Sequence, residues 1–461
     1  MFINDEFLLK SDIAKSLYQE VKDLPIVDYH NHLNPKEIYD NLPYVNIGAI
    51  WLDHDHYKWR LMRNSGVMES TITGHTDYSL KFYAFVKSIE KAYLNPLYHW
   101  SHMELKKYFG IDEVITRKNA EELYHKINET LLEKPRGPRE LLVDSNVEVV
   151  CTTDAVEDDL KYHKLLAEEG FSVKVLPTFR PDKVMRANGV DFLKTLDLLS
   201  ELENIKIHTI SDFEEILLNR LNHFENHGCV IADHGLSTFN YYKVSKEEAN
   251  AILVRRLSSE VVSLEDEEKL KIYLLKFFMT QYAKRGWTTQ LHIGAIRNTN
   301  EKMYELLGPD AGCDSISDHV YIDDLNNLLS ELDATESLSR VIVYNLNPRD
   351  NEAIASLCGN FASKVEGKIQ LGAPWWFNDH YNGIVDHLDV FSAYSNISLF
   401  TGMLTDSRSY LSFVRHDYFR RILCNYIGEK VVNGFIPNDE ENLKELVQNI
   451  SYYNSKNYLK L

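Results

Sequence analysis

Eight short runs rich in apolar and β-branched residues recur along the chain, at 25–31, 148–153, 172–179, 229–234, 288–295, 340–346, 368–374 and 399–405. Several, such as Arg340-Val-Ile-Val-Tyr-Asn-Leu346, are apolar almost throughout instead of alternating. A strand buried on both faces reads that way, and parallel sheets flanked by helices bury both faces. Helical patterns, for example Tyr162–Gly170, Glu267–Gly286 and Ile322–Leu332, lie between most of the runs. Eight strands alternating with helices point to a (β/α)8 (TIM) barrel in preference to an open, doubly wound sheet.

The chain has 461 residues. A minimal barrel needs roughly 250, which leaves about 200 in surplus. Most of the surplus falls between the first two runs, at about 34–147, with helical stretches near 77–94, 100–108 and 118–133. A second surplus at about 235–287 includes the amphipathic Lys246–Leu257. No repeat or linker divides the sequence, so the expectation is one distorted α/β barrel domain over 1–461, with a large helical insertion after its first strand.

Lysine and arginine total 50 against 69 aspartates and glutamates, a net charge of -19. Nucleic-acid binding as the main task is disfavoured, because it demands concentrated positive charge. An anionic small molecule is not excluded, since a few local arginines can override the global field. No apolar stretch approaches ~18 residues and the N-terminus lacks a leader pattern, so a cytoplasmic location with no membrane partner is expected. Five widely spaced cysteines, Cys151, Cys229, Cys313, Cys358 and Cys424, form no zinc knuckle or redox pair and read as reduced thiols.

The ends of the runs carry the chemistry. Pro25-Ile-Val-Asp-Tyr-His-Asn-His32 sets His30 and His32 two residues apart, which in a strand puts both imidazoles on one face. Such a pair suits Zn²⁺ or a similar divalent ion, although two satisfied histidines at a strand end would look the same. The last run ends in Asp406 and Arg408. A barrel closing its eighth strand onto its first would bring Asp406 to the histidines as a ligand or a base. His292 ends the fifth run and could either ligate the ion or meet a substrate hydroxyl.

Arg180, Arg297, Arg349 and Arg408 follow the third, fifth, sixth and eighth runs, and their forks suit an oxygen-rich anion. Arg349 reads equally well as a surface ion pair. Asp233-His234 closes the fourth run and Trp375-Trp376 follows the seventh, where the indoles could floor a sugar pocket or simply pack. Asp53-His-Asp-His56 repeats the His-x-His spacing in a segment of mixed pattern and is not expected to bind metal. His223 and His227 lack the glutamate of a His-Glu-x-x-His motif.

Longer stretches carry a family likeness. Asp28-Tyr-His-Asn-His-Leu33, His56-Tyr-Lys-Trp-Arg60, Asn95-Pro-Leu-Tyr-His-Trp100, Val175-Leu-Pro-Thr-Phe-Arg-Pro-Asp182, His292-Ile-Gly-Ala-Ile-Arg-Asn298, Asn345-Leu-Asn-Pro-Arg-Asp350, Trp375-Trp-Phe-Asn378 and Gly402-Met-Leu-Thr-Asp-Ser-Arg408 resemble uronate (glucuronate) isomerases of the amidohydrolase superfamily. The resemblance runs from about residue 5 to the C-terminus. It implies reversible isomerisation of D-glucuronate to D-fructuronate and of D-galacturonate to D-tagaturonate in hexuronate catabolism, through a cis-enediol. It also implies one divalent metal per site, zinc being the expected ion, held by His30, His32 and Asp406. Asp406, Arg408, Tyr57 and His292 take the catalytic roles in that picture. Arg180, Asp233, Arg297, Trp375 and Trp376 bind the hexuronate. A homo-oligomer is left open. A metal-dependent hydrolase of the same superfamily, such as a lactonase or deaminase, would share the histidines and the late aspartate. A non-catalytic sugar-acid binding protein would need the arginines and tryptophans without the metal triad.

Overall fold

The computed structural model describes residues 2–361 and 363–461. Its strands are β1 (Ile26–Asp28), β2 (Val147–Cys151), β3 (Asp154–Ala155), β4 (Lys174–Leu176), β5 (Phe179–Arg180), β6 (Ile231–Leu236), β7 (Thr288–Ile293), β8 (Ala295–Ile296), β9 (Ser315–Ile316), β10 (Arg340–Asn345) and β11 (Ile369–Leu371). One parallel sheet runs β1-β2-β4, and a second runs β11-β10-β7-β6-β5-β3. The pair β8 and β9 is antiparallel and stands apart from both. The molecule is therefore an α/β fold of parallel strands with many helices.

Local chemistry explains where strands break. The third run splits into β4 and β5 around Pro177, which has no N–H to give a ladder. The second run ends as β2, and the two-residue β3 just beyond it joins the other sheet. Thr152 N–H donates to Leu176 O at 3.0 Å and Asp154 N–H to Thr178 O at 3.1 Å, so the chain stays in step across both breaks.

The eighth run is not a strand. A 3-10 turn at Ile397–Leu399 leads into an irregular extended segment. Side chains, not a neighbouring ladder, satisfy its backbone: Gln370 serves Leu399 O and Thr401 N, Tyr29 Oη serves Gly402 O, and Asp28 serves Thr405 N. Gly402 has φ 77°, and a Cβ there would sit 2.1 Å from Ile450 O. That position breaks any regular strand.

Eight helices between Pro35 and Asp144 separate β1 from β2, among them Tyr78–Ile89, Pro96–Phe109 and Ala120–Glu133. The 235–287 stretch holds the end of β6 and the helices Lys246–Leu257 and Leu264–Arg285. Phe278 and Tyr282 of the latter stack near-parallel, and both lie against Phe179 of β5. Rings buried this way contribute about 1.5–3 kcal/mol each and fix the long helix to the sheet.

Candidate active site

A cavity of about 330 Å³ opens where the strands and their following loops end, lined among others by His30, His32, Tyr57, His292, Asp406 and Arg408. The chain leaves β1 at Asp28 and bends at His30. Asn31 turns one way, its N–H bonding Cys151 O and its carbonyl taking Thr153 Oγ1. His30 and His32 turn the other way, where Asp406 N–H donates to His30 O and His32 N–H to Ser407 O. The period-two alternation expected of a strand is thus kept without a strand ladder. The two imidazole centroids lie 5.3 Å apart.

Asp406 meets both rings. Its Oδ1 is 3.3 Å from His30 Nε2 and 3.0 Å from His32 Nε2, and its Oδ2 accepts from Trp375 Nε1 at 2.8 Å. Asp406 holds φ 43°, a left-handed conformation rare outside glycine and typical of over-determined functional positions. Burial would push this carboxyl up, but the two imidazoles outweigh it and hold the group well below the usual carboxylate range. Burial lowers His32 to about 4, so it stands as a neutral ring.

The donor set fits a divalent ion. Ligands about 2.0–2.1 Å from a shared ion stand ~3 Å from one another, close to the separations found here. His30 Nδ1 has no hydrogen-bond partner among the described residues. A second grouping, His30, Asp233 and His292, also places its ligand atoms within 4.8 Å of one another. It is the poorer candidate, because Asp233 is committed to the Arg180 cation and, unlike Asp406, does not line the cavity.

Asp233, on β6, is fully enclosed. Its Oδ1 accepts from His292 Nδ1 at 2.6 Å and its Oδ2 pairs with Arg180 Nη1 at 3.0 Å. Burial raises such a carboxyl, yet His292, Arg180 and His30 together hold it well below normal. The bond fixes the His292 tautomer with its proton on Nδ1, leaving Nε2 as an acceptor with no partner among the described residues, in a ring that lines the cavity. Tyr344 stacks on that ring at 4.3 Å from the neighbouring β10. Arg180 also bonds Asp182 through Nε at 2.8 Å. A side chain at Gly235 would stand 2.7 Å from Arg180 Nη2, so only glycine admits this guanidinium.

The rim is made by loops and one helix. Arg297 pairs with Asp314 at 2.8 Å, and its guanidinium lies 4.8 Å from the Trp376 ring centroid. Arg408 pairs with Asp310 at 2.9 Å. Asp55 caps the helix His56–Asn64, accepting from Tyr57 N and Lys58 N, so Tyr57 sits in its first turn beside the cavity. Arg60 and Arg63 of that helix bond the carbonyls of Asp314 and Ala311, tying the helix to the loop that carries Asp310.

Of the residues singled out from the sequence, His30, His32, Tyr57, Arg180, His292, Arg297, Trp375, Trp376, Asp406 and Arg408 all line the cavity. Asp233 does not; it stands behind His292 and Arg180. Arg349 lies away from the cavity, paired with exposed Asp318 and with buried Asp350. His54 and His56 line the wall although neither joins a metal-ligand grouping. Sequence reasoning also missed Arg186 and Asp310. For His56 the signal was its place beside Tyr57, whereas Asp310 gives none. No helix among the described residues is long and apolar enough to cross a membrane.

A family model described as glucuronate isomerase matches residues 1–459. A uronate isomerase of Oceanobacillus iheyensis is 45% identical over 460 residues, covering 99% of this chain and 98% of its own. The crystal structure of a Thermotoga maritima uronate isomerase superposes with a TM-score of 0.95 at 34% identity, covering all of both chains. That of a Caulobacter crescentus glucuronate isomerase gives 0.92 at 25% identity, covering 99% of this chain and 97% of that one.

Proposed function

The chain belongs to the glucuronate isomerase family, and from that premise we propose that it interconverts aldose and ketose forms of hexuronates, D-glucuronate with D-fructuronate and D-galacturonate with D-tagaturonate, through a cis-enediol. Within the family match, the observation that carries the mechanism is the meeting of His30, His32 and Asp406 in a cavity that Arg180, Arg297 and Arg408 also line. The hydrolase and binding-protein alternatives raised by the residues alone give way to this reading.

We take the two sheets as arcs of one distorted (β/α)8 barrel spanning 1–461, with 34–147 and 235–287 as helical insertions and the 399–407 segment closing onto residues 29–33. The enzyme is read as cytoplasmic. His30, His32 and Asp406 would hold one divalent ion, and two imidazoles with a carboxylate suit zinc. When bound, it supplies a Lewis acid that anchors the substrate's carboxylate and neighbouring hydroxyl.

The chain's own residues do the rest. Asp406 takes the C2 proton, directly or through the substrate's C5 hydroxyl, and returns it at C1. A carboxylate held so acidic is a weak base, so the enediolate must be stabilised as it forms. Arg408 meets the charge growing on the C2 and C3 oxygens, and Tyr57 hydrogen-bonds O1. His292 Nε2 accepts from a substrate hydroxyl, with Asp233 fixing its tautomer. Arg180 and Arg297 orient the remaining hydroxyls and carboxylate, and Trp375 and Trp376 floor the pocket.

An NMR time course of the metal-loaded protein in D₂O tests this directly. D-fructuronate should appear from D-glucuronate, or D-tagaturonate from D-galacturonate. If neither sugar acid changes, the assignment fails, and lactones become the substrates to try.

A further inference from the structure

Tyr57 does not stand alone at the cavity. Its hydroxyl donates to Asp379 Oδ2 at 3.0 Å, and its ring lies over the Arg415 guanidinium at 4.7 Å. Arg415 is sandwiched further by Trp100 at 4.2 Å, bonds Thr405 O at 2.9 Å and stands 3.8 Å from Asp379. Asp379 and Arg415 are 4% and 3% exposed, and neither lines the cavity. A carboxylate this deep is costly unless it is matched, yet Arg415 is too distant for a hydrogen bond to it. Burial raises the Asp379 carboxyl to about 7, with Arg415 opposing, so both protonation states are within reach near neutral pH.

Resting on the isomerase reading, we propose that Asp379 is a positioning residue that orients the Tyr57 hydroxyl and exchanges a proton with it, so that the pair lends a proton to the substrate's O1 and regains one from O2. Isomerisation needs this second transfer as much as the one between carbons. In the first half, the C2–H bond breaks toward Asp406. The carbonyl oxygen O1 takes the Tyr57 proton while Tyr57 takes that of protonated Asp379, which is left as the carboxylate. In the second half, O2–H gives its proton to the Tyr57 oxygen, the Tyr57 proton returns to Asp379, and C1 takes the proton from Asp406. Both acids are restored and no oxidant is involved. Arg415 steadies the intermediate stage, in which Asp379 is charged. The 3.0 Å contact between the Tyr57 hydroxyl and Asp379 Oδ2 serves both stages, the phenol donating when the carboxylate is charged and accepting when the acid is protonated.

The test is a two-by-two comparison of metal-loaded enzymes: wild type, Asp379→Asn, Tyr57→Phe and the double variant, with Asp379→Glu added. Asparagine keeps the shape and can accept from Tyr57, but its amide has no proton acidic enough to lend. Asp379→Asn should lower kcat about 100-fold, the scale of a lost general acid, with KM within threefold. Asp379→Glu should recover at least tenfold of that loss. On the Tyr57→Phe background, Asp379→Asn should cost less than about twofold, because its route to the substrate is already gone. Equal losses in both backgrounds would mean a purely structural role and overturn the proposal, as would an Asp379→Asn enzyme within threefold of wild type. A structural defect acts in both backgrounds, so the comparison decides even if one variant is less stable. Wild-type turnover reports on the isomerase reading by itself, so the two failures are told apart.

Discussion

His30, His292 and Asp233 have side chains no more than 3% exposed, and Asp406 12%, while Arg297, Arg408 and Asp310 at the same cavity are 29%, 31% and 54% exposed. The first group comes from strands, from the segment after β1 and, for Asp406, from the irregular segment that pairs with it. Each of its charges is met by a specific partner, because a buried charge without one is prohibitively costly. The second group stands on loops and is partly solvated; Arg408 and Asp310 are tied by one ion pair, worth about 0–1 kcal/mol, and Arg297 adds the Trp376 ring to its pair with Asp314. Such pairs are weak enough to be exchanged for a substrate's own charges. The inner wall is therefore built to be fixed, and the rim to be traded.

The largest effect that would test this contrast is at the wall. Asp406→Asn should lower turnover about 1,000-fold or more while leaving the fold in place, since the proposed base and metal ligand are lost together. Steady-state kinetics alongside circular dichroism reads both; near-normal turnover would remove Asp406 from the chemistry.

A smaller effect is expected at Asp154, a second enclosed carboxyl. It accepts from Thr152 Oγ1 and Thr178 N at 2.8 and 3.1 Å, and the His163 ring 3.7 Å away, lowered to about 3 by burial, stands neutral beside it. Burial raises it to about 7, against ~3.9 in an unfolded chain. Between these values the folded state binds more protons than the unfolded one, so stability falls as pH rises and the loss is complete above about 7. Asp154→Asn removes this slope. Thermal midpoints taken from pH 5 to 8 should drop less for the variant than for the wild type. Parallel curves would mean that Asp154 stays ionised in the fold.

The smallest effect belongs to the rim. If Asp310 merely occupies Arg408 until an anion arrives, Asp310→Asn should lower KM about two- to fivefold, the worth of an exposed pair, with kcat unchanged. A raised KM would instead make Asp310 part of the substrate's binding site and blur the distinction between wall and rim.

How much of this could be read beforehand follows the same division. The wall was legible because its residues sit at the ends of apolar runs, and strand ends converge. Helices such as Pro96–Phe109 and Ile322–Ala334 were legible from their periodicity. The segment after Leu399 was misread as a strand, since its apolar composition is that of a strand while its backbone is served by Gln370, Tyr29 and Asp28 from elsewhere. The resemblance implied a substrate contact for Asp233; its partners His292 and Arg180, which stand between it and the cavity, are supplied by the fold alone. Asp310 and Asp379 carry no local pattern at all, because their significance is the partner that the fold delivers.

The seam between residues 28–32 and 405–407 has one more consequence. Asp28 bonds Thr405 N and Oγ1 and lies 3.1 Å from His416, spanning 377 and 388 positions of sequence. Anything that grips His30, His32 and Asp406 together therefore closes a loop of almost the whole chain. Loop-closure entropy grows with length, and a ligand of the folded state alone adds its binding energy to stability. The catalytic ion of such a site would thus double as a clasp, and metal supply would govern the lifetime of the protein as well as its rate.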